Sequence, residues 1–233
     1  MYLKIFFINI YMASYHNIRS NKRKINEIID INNINHISES HLPRQDKSEK
    51  ISCVDNHIYF YSDVNSETIL ELNKTILRLN KDLLYFKNNV KCEYDVDIED
   101  LKIYLHINSM GGYVTDAFSG VDCILNSQIP IISIIEGYAA SAATFLSVVC
   151  HQRCMTKHSS ILIHQLSGGS WGTYEQMTDE FQNSTYLQKK IKNLYLDHCR
   201  KKMTKEKLDK FLKRDLMFNF KKSRKLGLVD ELI

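Results

Sequence analysis

An apolar run at residues 129–135 limits the possible folds more than any other segment, because it holds five isoleucines, one proline and one serine. A short run of this kind is typical of a strand that is buried on both faces, as in a parallel sheet. Apolar residues recur with helical spacing at residues 66–86 and again at 114–125. Strands and helices thus alternate along the chain, which predicts an α/β fold.

The rest of the chain predicts further elements of the same two kinds. They are strands at 58–61, 101–107 and 160–163, a polar loop at 88–100, and helices at 142–149, 174–202, 205–213 and 221–226, the last closed by Gly227. The helix at 174–202 is long, and it carries Met177, Phe181, Leu187, Ile191, Leu194 and Tyr195. So much apolar surface on a projecting helix predicts self-association through that helix.

Residues 1–50 have no sustained strand or helix period and are rich in Asn, Ser, Lys and His. This composition predicts a poorly ordered extension, with a short helix at 24–31, followed by a folded domain at 51–233. No apolar run reaches the length of about 18 residues that crosses a bilayer, so no membrane partner is expected. We expect a cytoplasmic protein, and organelle targeting by residues 1–50 is the alternative.

Charge and cysteine spacing narrow the range of partners. The net charge of +4 comes without a basic stripe that carries interleaved aromatics, so no nucleic-acid partner is expected. A phosphate-binding P-loop motif does not occur, and no cofactor is expected. The six cysteines are scattered, as in reduced proteins. Cys150, Cys154 and His158 have zinc-ligand residue types, but a helix end followed by a loop explains them better, and no metal is expected.

Four short segments carry residue types that nucleophilic hydrolases use. Ser141 follows a strand and Gly137 and precedes a helix, where free backbone N–H groups can hold an oxyanion. His164 ends a short apolar strand, as a general base could, and Asp215 is an acid that could orient it. A Gly-Gly turn at 111–112 could supply a further N–H. Each segment alone also fits an ordinary role, Ser141 for example as an N-cap.

Together, these segments and a motif at the end of the chain follow the order of one known family. The stretches are 107–112 (INSMGG), 137–141 (GYAAS), 163–166 (IHQL), 214–218 (RDLMF) and 227–230 (GLVD). They resemble the I-N-S-P-G-G, G-x-A-A-S, I-H-Q-P, R-D-x-x-F and G-L-[IV]-D motifs of the Clp protease proteolytic subunit. The resemblance covers about residues 57–233. Met110 and Leu166 replace the two prolines of the family pattern, and residues 1–50 do not match it.

The resemblance implies a crotonase-like α/β fold, a superhelix of repeated β-β-α units with a protruding handle helix. It implies a serine endopeptidase with Ser141 as nucleophile, His164 as base and Asp215 as the orienting acid. This chain order differs from those of α/β-hydrolases, chymotrypsin-like proteases and subtilisin-like proteases. The N–H groups of Gly112 and Ala142 would form the oxyanion hole. A substrate-binding strand would pair with the backbone of the peptide through Gln165, Leu166, Ser167, Gly168 and Gly169.

By the same resemblance, the substrates are unfolded polypeptides, and the chain self-associates into two stacked rings, a tetradecamer, that an AAA+ unfoldase feeds. The handle helix would form the seam between the rings. Two other functions stay open. The chain could be an inactive ring subunit, or an acyl-CoA-binding crotonase enzyme, although such enzymes usually rely on carboxylates instead of a Ser-His-Asp set.

Overall fold

A computed structural model describes residues 51–199 and 202–233. The helix predicted at 24–31 and the extension predicted at 1–50 lie outside the described residues, so the division of the chain at residue 50 stays a prediction. No helix in the described part of the chain is long and apolar enough to cross a membrane.

The described residues contain one mixed sheet with helices connecting its strands. The strands are β1 (Ile51–Val54), β2 (His57–Phe60), β3 (Ile103–Ser109), β4 (Ile131–Ala140), β5 (Gln152–Met155), β6 (Ser160–Leu162), β7 (Met217–Phe218) and β8 (Glu231–Leu232). The helices are α1 (Ser66–Tyr94), α2 (Val114–Leu125), α3 (Ala143–Val148), α4 (Tyr174–His198), α5 (Lys205–Leu212) and α6 (Phe220–Leu226).

The order of strands in the sheet is β1-β2-β3-β4-β5-β8, and the pairings from β2 to β8 are parallel. β6 pairs with the far end of β4, and β7 pairs antiparallel with β6. The α/β prediction is therefore confirmed. Helix α1 packs against β1 and β2, α3 packs against β3 and β4, and α2 packs against both helices. Ile103, Leu105 and Ile107 of β3 are fully buried.

Strand β4 is the centre of the sheet and is longer than predicted. The predicted part, 129–135, covers only the half that lies between β3 and β5. The strand continues to Ala140 because residues 138–140 pair with β6. Residues 136–140, which the prediction left outside the strand, therefore belong to it, and Ser141 follows directly after its last residue.

The helix predictions hold in position and differ mainly at the ends. α2 has the predicted bounds, whereas α1 runs to Tyr94, so the loop prediction is wrong for residues 88–94. A capping box between Asn65 and Thr68 starts α1, and a left-handed Asp95 ends it. Gly227, with φ of 79°, closes α6 as predicted.

The handle helix α4 divides into two halves with different surroundings. Ile191 and Tyr195, in the second half, are buried within the chain. Met177 and Phe181, in the first half, are exposed. The apolar surface that is left for association therefore belongs to the first half of the helix, whereas the sequence pattern had assigned it to the whole length.

Candidate active site

Ser141 lies on a sharp turn between β4 and α3. Its φ of 52° is left-handed, a conformation that a residue with a side chain adopts only at a cost of about 1–3 kcal/mol. Its N–H donates to the Leu162 carbonyl at 2.9 Å, which ties the turn to β6. The N-cap of α3 is Ala142 and makes no side-chain cap bond, so the alternative role of Ser141 as an N-cap is wrong.

His164 lies two residues beyond the end of β6 and faces Ser141. Its Nε2 atom is 2.7 Å from Ser141 Oγ, a normal hydrogen-bond distance. The pairing of β6 with residues 138–140 of β4 places the two side chains side by side. The imidazole is 24% exposed, so a substrate can reach it. This contact is the one that a general base needs in order to activate a serine.

Asp215 completes the set at a longer distance. Its Oδ1 atom is 3.7 Å from His164 Nδ1, which is an ion-pair distance and exceeds that of a hydrogen bond. The aspartate stands two residues before β7, whose pairing with β6 brings it to the histidine. Its side chain is 80% exposed. Tyr138 lies nearby, and burial, together with the negative charge of Asp215, raises the pKa of its phenol.

The Gly-Gly turn after β3 packs against the Ser141 turn. A Cβ atom on Gly111 would lie 2.7 Å from Ser141 Cβ and 3.1 Å from the Ala142 nitrogen, so only glycine permits this approach. Val64 holds the turn by donating to Gly111 O at 2.7 Å and accepting from Tyr113 N at 2.9 Å. This pairing does not use the N–H of Gly112, and the β4–β6 pairing, which ends at the N–H of Ser141, does not use that of Ala142.

The predicted substrate-binding segment is only partly available. The N–H of Gln165 donates to Leu212 O at 2.7 Å, and the N–H of Leu166 donates to Gln188 Oε1 at 2.6 Å. The backbone of these two residues can therefore offer a peptide only its carbonyl groups. Residues 167–169 are exposed, and nothing lies within 4 Å of a Cβ atom placed on Gly168 or Gly169.

The three candidate zinc ligands do not come together in the structure. Cys150 and Cys154 are buried, whereas His158 is exposed. Burial raises the pKa of the Cys150 thiol to about 12 and that of Cys154 to about 11, so both stay protonated at neutral pH. Within residues 51–199 and 202–233, no three His, Cys, Asp or Glu side chains come together as a metal site.

Sequence reasoning missed one contact beside the site and one elsewhere in the fold. The Thr144 hydroxyl lies between the Ser141 carbonyl and the Tyr195 hydroxyl. Arg153, whose side chain is 1% exposed, forms an ion pair with Asp230. The helical period placed Tyr195 on an apolar face, and it could not indicate that the hydroxyl has a partner 51 residues away.

The arrangement is of the kind that serine hydrolases use, with a serine on a tight turn, a histidine in contact with it, and an acid behind the histidine. A model of the Clp protease family matches residues 92–233, and the chain therefore belongs to that family.

Relatives and a solved structure agree with this assignment. ATP-dependent Clp protease proteolytic subunits from Mesostigma viride and Chlorella vulgaris are 29% and 28% identical over 133 and 132 residues. Each match covers 56% of this chain, and 57% and 65% of the relative, so the chain spans a little over half of their length. A mutant ClpP1 from Listeria monocytogenes superposes with a TM-score of 0.63 at 20% identity, over 76% of this chain and 91% of that one. The crotonase-like fold prediction is thereby confirmed.

Proposed function

We propose that this chain is a serine endopeptidase that hydrolyses unfolded polypeptides. The observation that carries the proposal is the 2.7 Å contact between Ser141 Oγ and His164 Nε2 on a strained turn. Strain of this kind persists where the surrounding structure enforces it, and it is common at sites of chemistry. Membership of the Clp protease family and the peptidase names of the relatives support the same reaction.

The reaction follows from the positions of the groups. Ser141 Oγ attacks the peptide carbonyl carbon while His164 Nε2 takes its proton. The N–H groups of Gly112 and Ala142 donate to the oxyanion that forms. His164 returns the proton to the departing amine, which leaves an acyl-enzyme. Water, activated by the same imidazole, then releases the acid and frees Ser141 in a second tetrahedral step.

Asp215 serves this cycle by stabilising the imidazolium and fixing its tautomer. At 3.7 Å the carboxylate must approach His164 Nδ1 by roughly 0.5–1 Å to accept a hydrogen bond. This distance is also the observation that favours the second candidate, an inactive ring subunit. The two candidates differ in whether Ser141 reacts.

Assembly belongs to the same proposal. Exposed apolar residues on the first half of α4, Met177 and Phe181 among them, provide a surface through which copies of the chain can associate. We place the seam of two stacked heptameric rings there, with Ser141 facing an enclosed chamber. Because such a chamber admits only unfolded chains, an AAA+ unfoldase is the expected partner. A cytoplasmic location is part of the proposal, and organelle targeting by residues 1–50 is its alternative.

The test is reaction with a fluorophosphonate, followed by mapping of the modified residue. We expect modification at Ser141 in the folded protein and none after heat denaturation, because the serine needs its base. Ser141→Ala should abolish both labelling and hydrolysis of a fluorogenic peptide, with a loss of about 10³-fold or more. Assembly mass by light scattering should stay the same. A folded protein that is not labelled at Ser141 would favour the inactive subunit.

A further inference from the structure

A chain of two hydrogen bonds runs from the handle helix to the backbone of Ser141. Thr144 Oγ1 lies 2.6 Å from the Ser141 carbonyl oxygen and 2.5 Å from the Tyr195 hydroxyl. Both side chains are buried, and Tyr195 is 1% exposed. The ring of Tyr195 is held edge-on against Phe145 at 5.7 Å between centroids. The three groups are therefore fixed relative to one another.

The direction of both bonds follows from counting protons. The Ser141 carbonyl can only accept, so the single proton of the Thr144 hydroxyl is donated to it. Thr144 Oγ1 then has no proton for Tyr195 and must accept from the phenol. Burial raises the pKa of Tyr195 above its ordinary value, so the phenol keeps its proton at neutral pH. The relay thus runs from Tyr195 through Thr144 to Ser141.

The receiving carbonyl belongs to a peptide group that matters for the reaction. The C=O of Ser141 and the N–H of Ala142 are the two ends of one planar amide. The same oxygen also accepts from the Thr144 N–H at 3.0 Å. Two donors on the carbonyl fix the plane of the amide and polarise it, which strengthens the N–H at its other end as a donor.

We infer that Thr144 and Tyr195 are positioning residues that orient and polarise the Ser141–Ala142 peptide, so that the Ala142 N–H is held ready for the oxyanion. The inference rests on the proposed function and deepens it. Neither side chain touches the substrate. Their effect should appear in the transition state, where the oxyanion exists, and not in the binding of the peptide.

The expected loss of kcat has an upper bound. Loss of a whole oxyanion-hole donor costs about 10²–10³-fold in kcat. Removing these two hydrogen bonds leaves the Ala142 N–H in place, but the Ser141–Ala142 peptide is then less polarised and its plane is held less firmly. We therefore expect Thr144→Val and Tyr195→Phe each to lower kcat by about 3–10-fold, with KM and the pH profile unchanged.

The experiment compares five variants with the wild type. It measures kcat and KM on a fluorogenic peptide and the rate of fluorophosphonate labelling, below each variant's melting temperature. Thr144→Ser keeps the hydroxyl and should stay near the wild-type rate. The double variant Thr144→Val, Tyr195→Phe should be no slower than Thr144→Val alone, because Tyr195 acts only through Thr144. Thr75→Val is the control, since Thr75 also donates to a carbonyl, that of Glu71 at 2.9 Å, but in α1.

Each outcome decides between the relay and its alternatives. Slower labelling and lower kcat in Thr144→Val, restored in Thr144→Ser, support the relay. Equal rates in Thr144→Val and wild type overturn it, as does an equal loss in Thr144→Ser, which would mean that the methyl group matters through packing. A rise in KM alone would also overturn it. A wild-type protein that is not labelled at Ser141 would instead refute the proposed function.

Discussion

Asp230→Asn should destabilise the fold while sparing the chemistry, because Asp230 neutralises a buried arginine. The Arg153 side chain is 1% exposed, and its Nε and Nη2 atoms donate to the two carboxylate oxygens at 3.0 and 2.8 Å. Its Nη1 atom donates to the carbonyls of His198 and Gly227 at 2.8 and 2.7 Å. One guanidinium thus joins β5, the end of α4 and the end of the chain.

The magnitude follows from leaving a buried charge without its counter-charge. Removing one partner of a buried ion pair costs about 3–5 kcal/mol. Asparagine keeps one acceptor oxygen for the guanidinium, so we expect the lower end, about 3 kcal/mol. In a domain of this size 1 kcal/mol shifts the melting temperature by about 2–4 °C, which predicts a fall of about 6–12 °C.

Thermal unfolding followed by circular dichroism measures this fall, and Asp215→Asn is the matched control. Asp215 is 80% exposed, so its variant should melt as the wild type does but lose peptidase activity. Asp230→Asn should melt early and, while folded, turn over peptide normally. The double variant Arg153→Met, Asp230→Asn should lose less than the two single losses added together. A melting temperature of Asp230→Asn within 2 °C of the wild type, a bound taken from the same scaling, would refute the reasoning.

Two further predictions concern acid stability and assembly. Burial opposes ionisation of Glu136, but hydrogen bonds from Tyr61 and His106 outweigh it and lower the pKa of Glu136. The carboxylate therefore stabilises the fold fully above its ordinary pKa of 4.5, and this stabilisation is lost as the pH falls through the lowered pKa. Glu136→Gln should therefore flatten the part of a melting-temperature profile that lies below about pH 4.5, and an unchanged slope there would contradict this. Met177→Asp with Phe181→Asp should lower the mass in light scattering without lowering the melting temperature of the subunit, and an unchanged mass would move the seam elsewhere.

Sequence periodicity predicted the elements that bury the most apolar surface and missed those that depend on a distant partner. The strand at 129–135 and the helix α2 could be predicted directly, because the apolar character and spacing of their own residues indicate which side chains are buried. Strands β7 and β8 have two residues each, and their partners lie in β6 and β5, so no local pattern marks them. The last turns of α1 are polar and looked like a loop, yet Lys91 and Asp97 form an exposed ion pair across its end.

In the candidate site, too, the sequence predicted some residues and missed others. Motif order was enough to nominate Ser141, His164 and Asp215, because reacting groups must be of fixed types. The groups that hold the backbone need only be able to form a hydrogen bond at the right place. Thr144 and Tyr195 could each have been another residue in a different scaffold, so their types carried no signal. Only the fold brings them together.

The two distances between the candidate triad residues reflect how each residue is held. Ser141 and His164 are anchored on both sides of the β4–β6 pairing, two neighbouring parallel strands, and their side chains meet at 2.7 Å. Asp215 reaches the site from β7, a two-residue strand that pairs with β6, and its carboxylate lies 3.7 Å from His164 Nδ1. A short edge strand is easily displaced, so the acid is the member of the set whose position responds most to what packs against that edge. A shift of β7 or a rotation of the exposed Asp215 side chain would close the last distance, and the Ser141–His164 contact is already present without it.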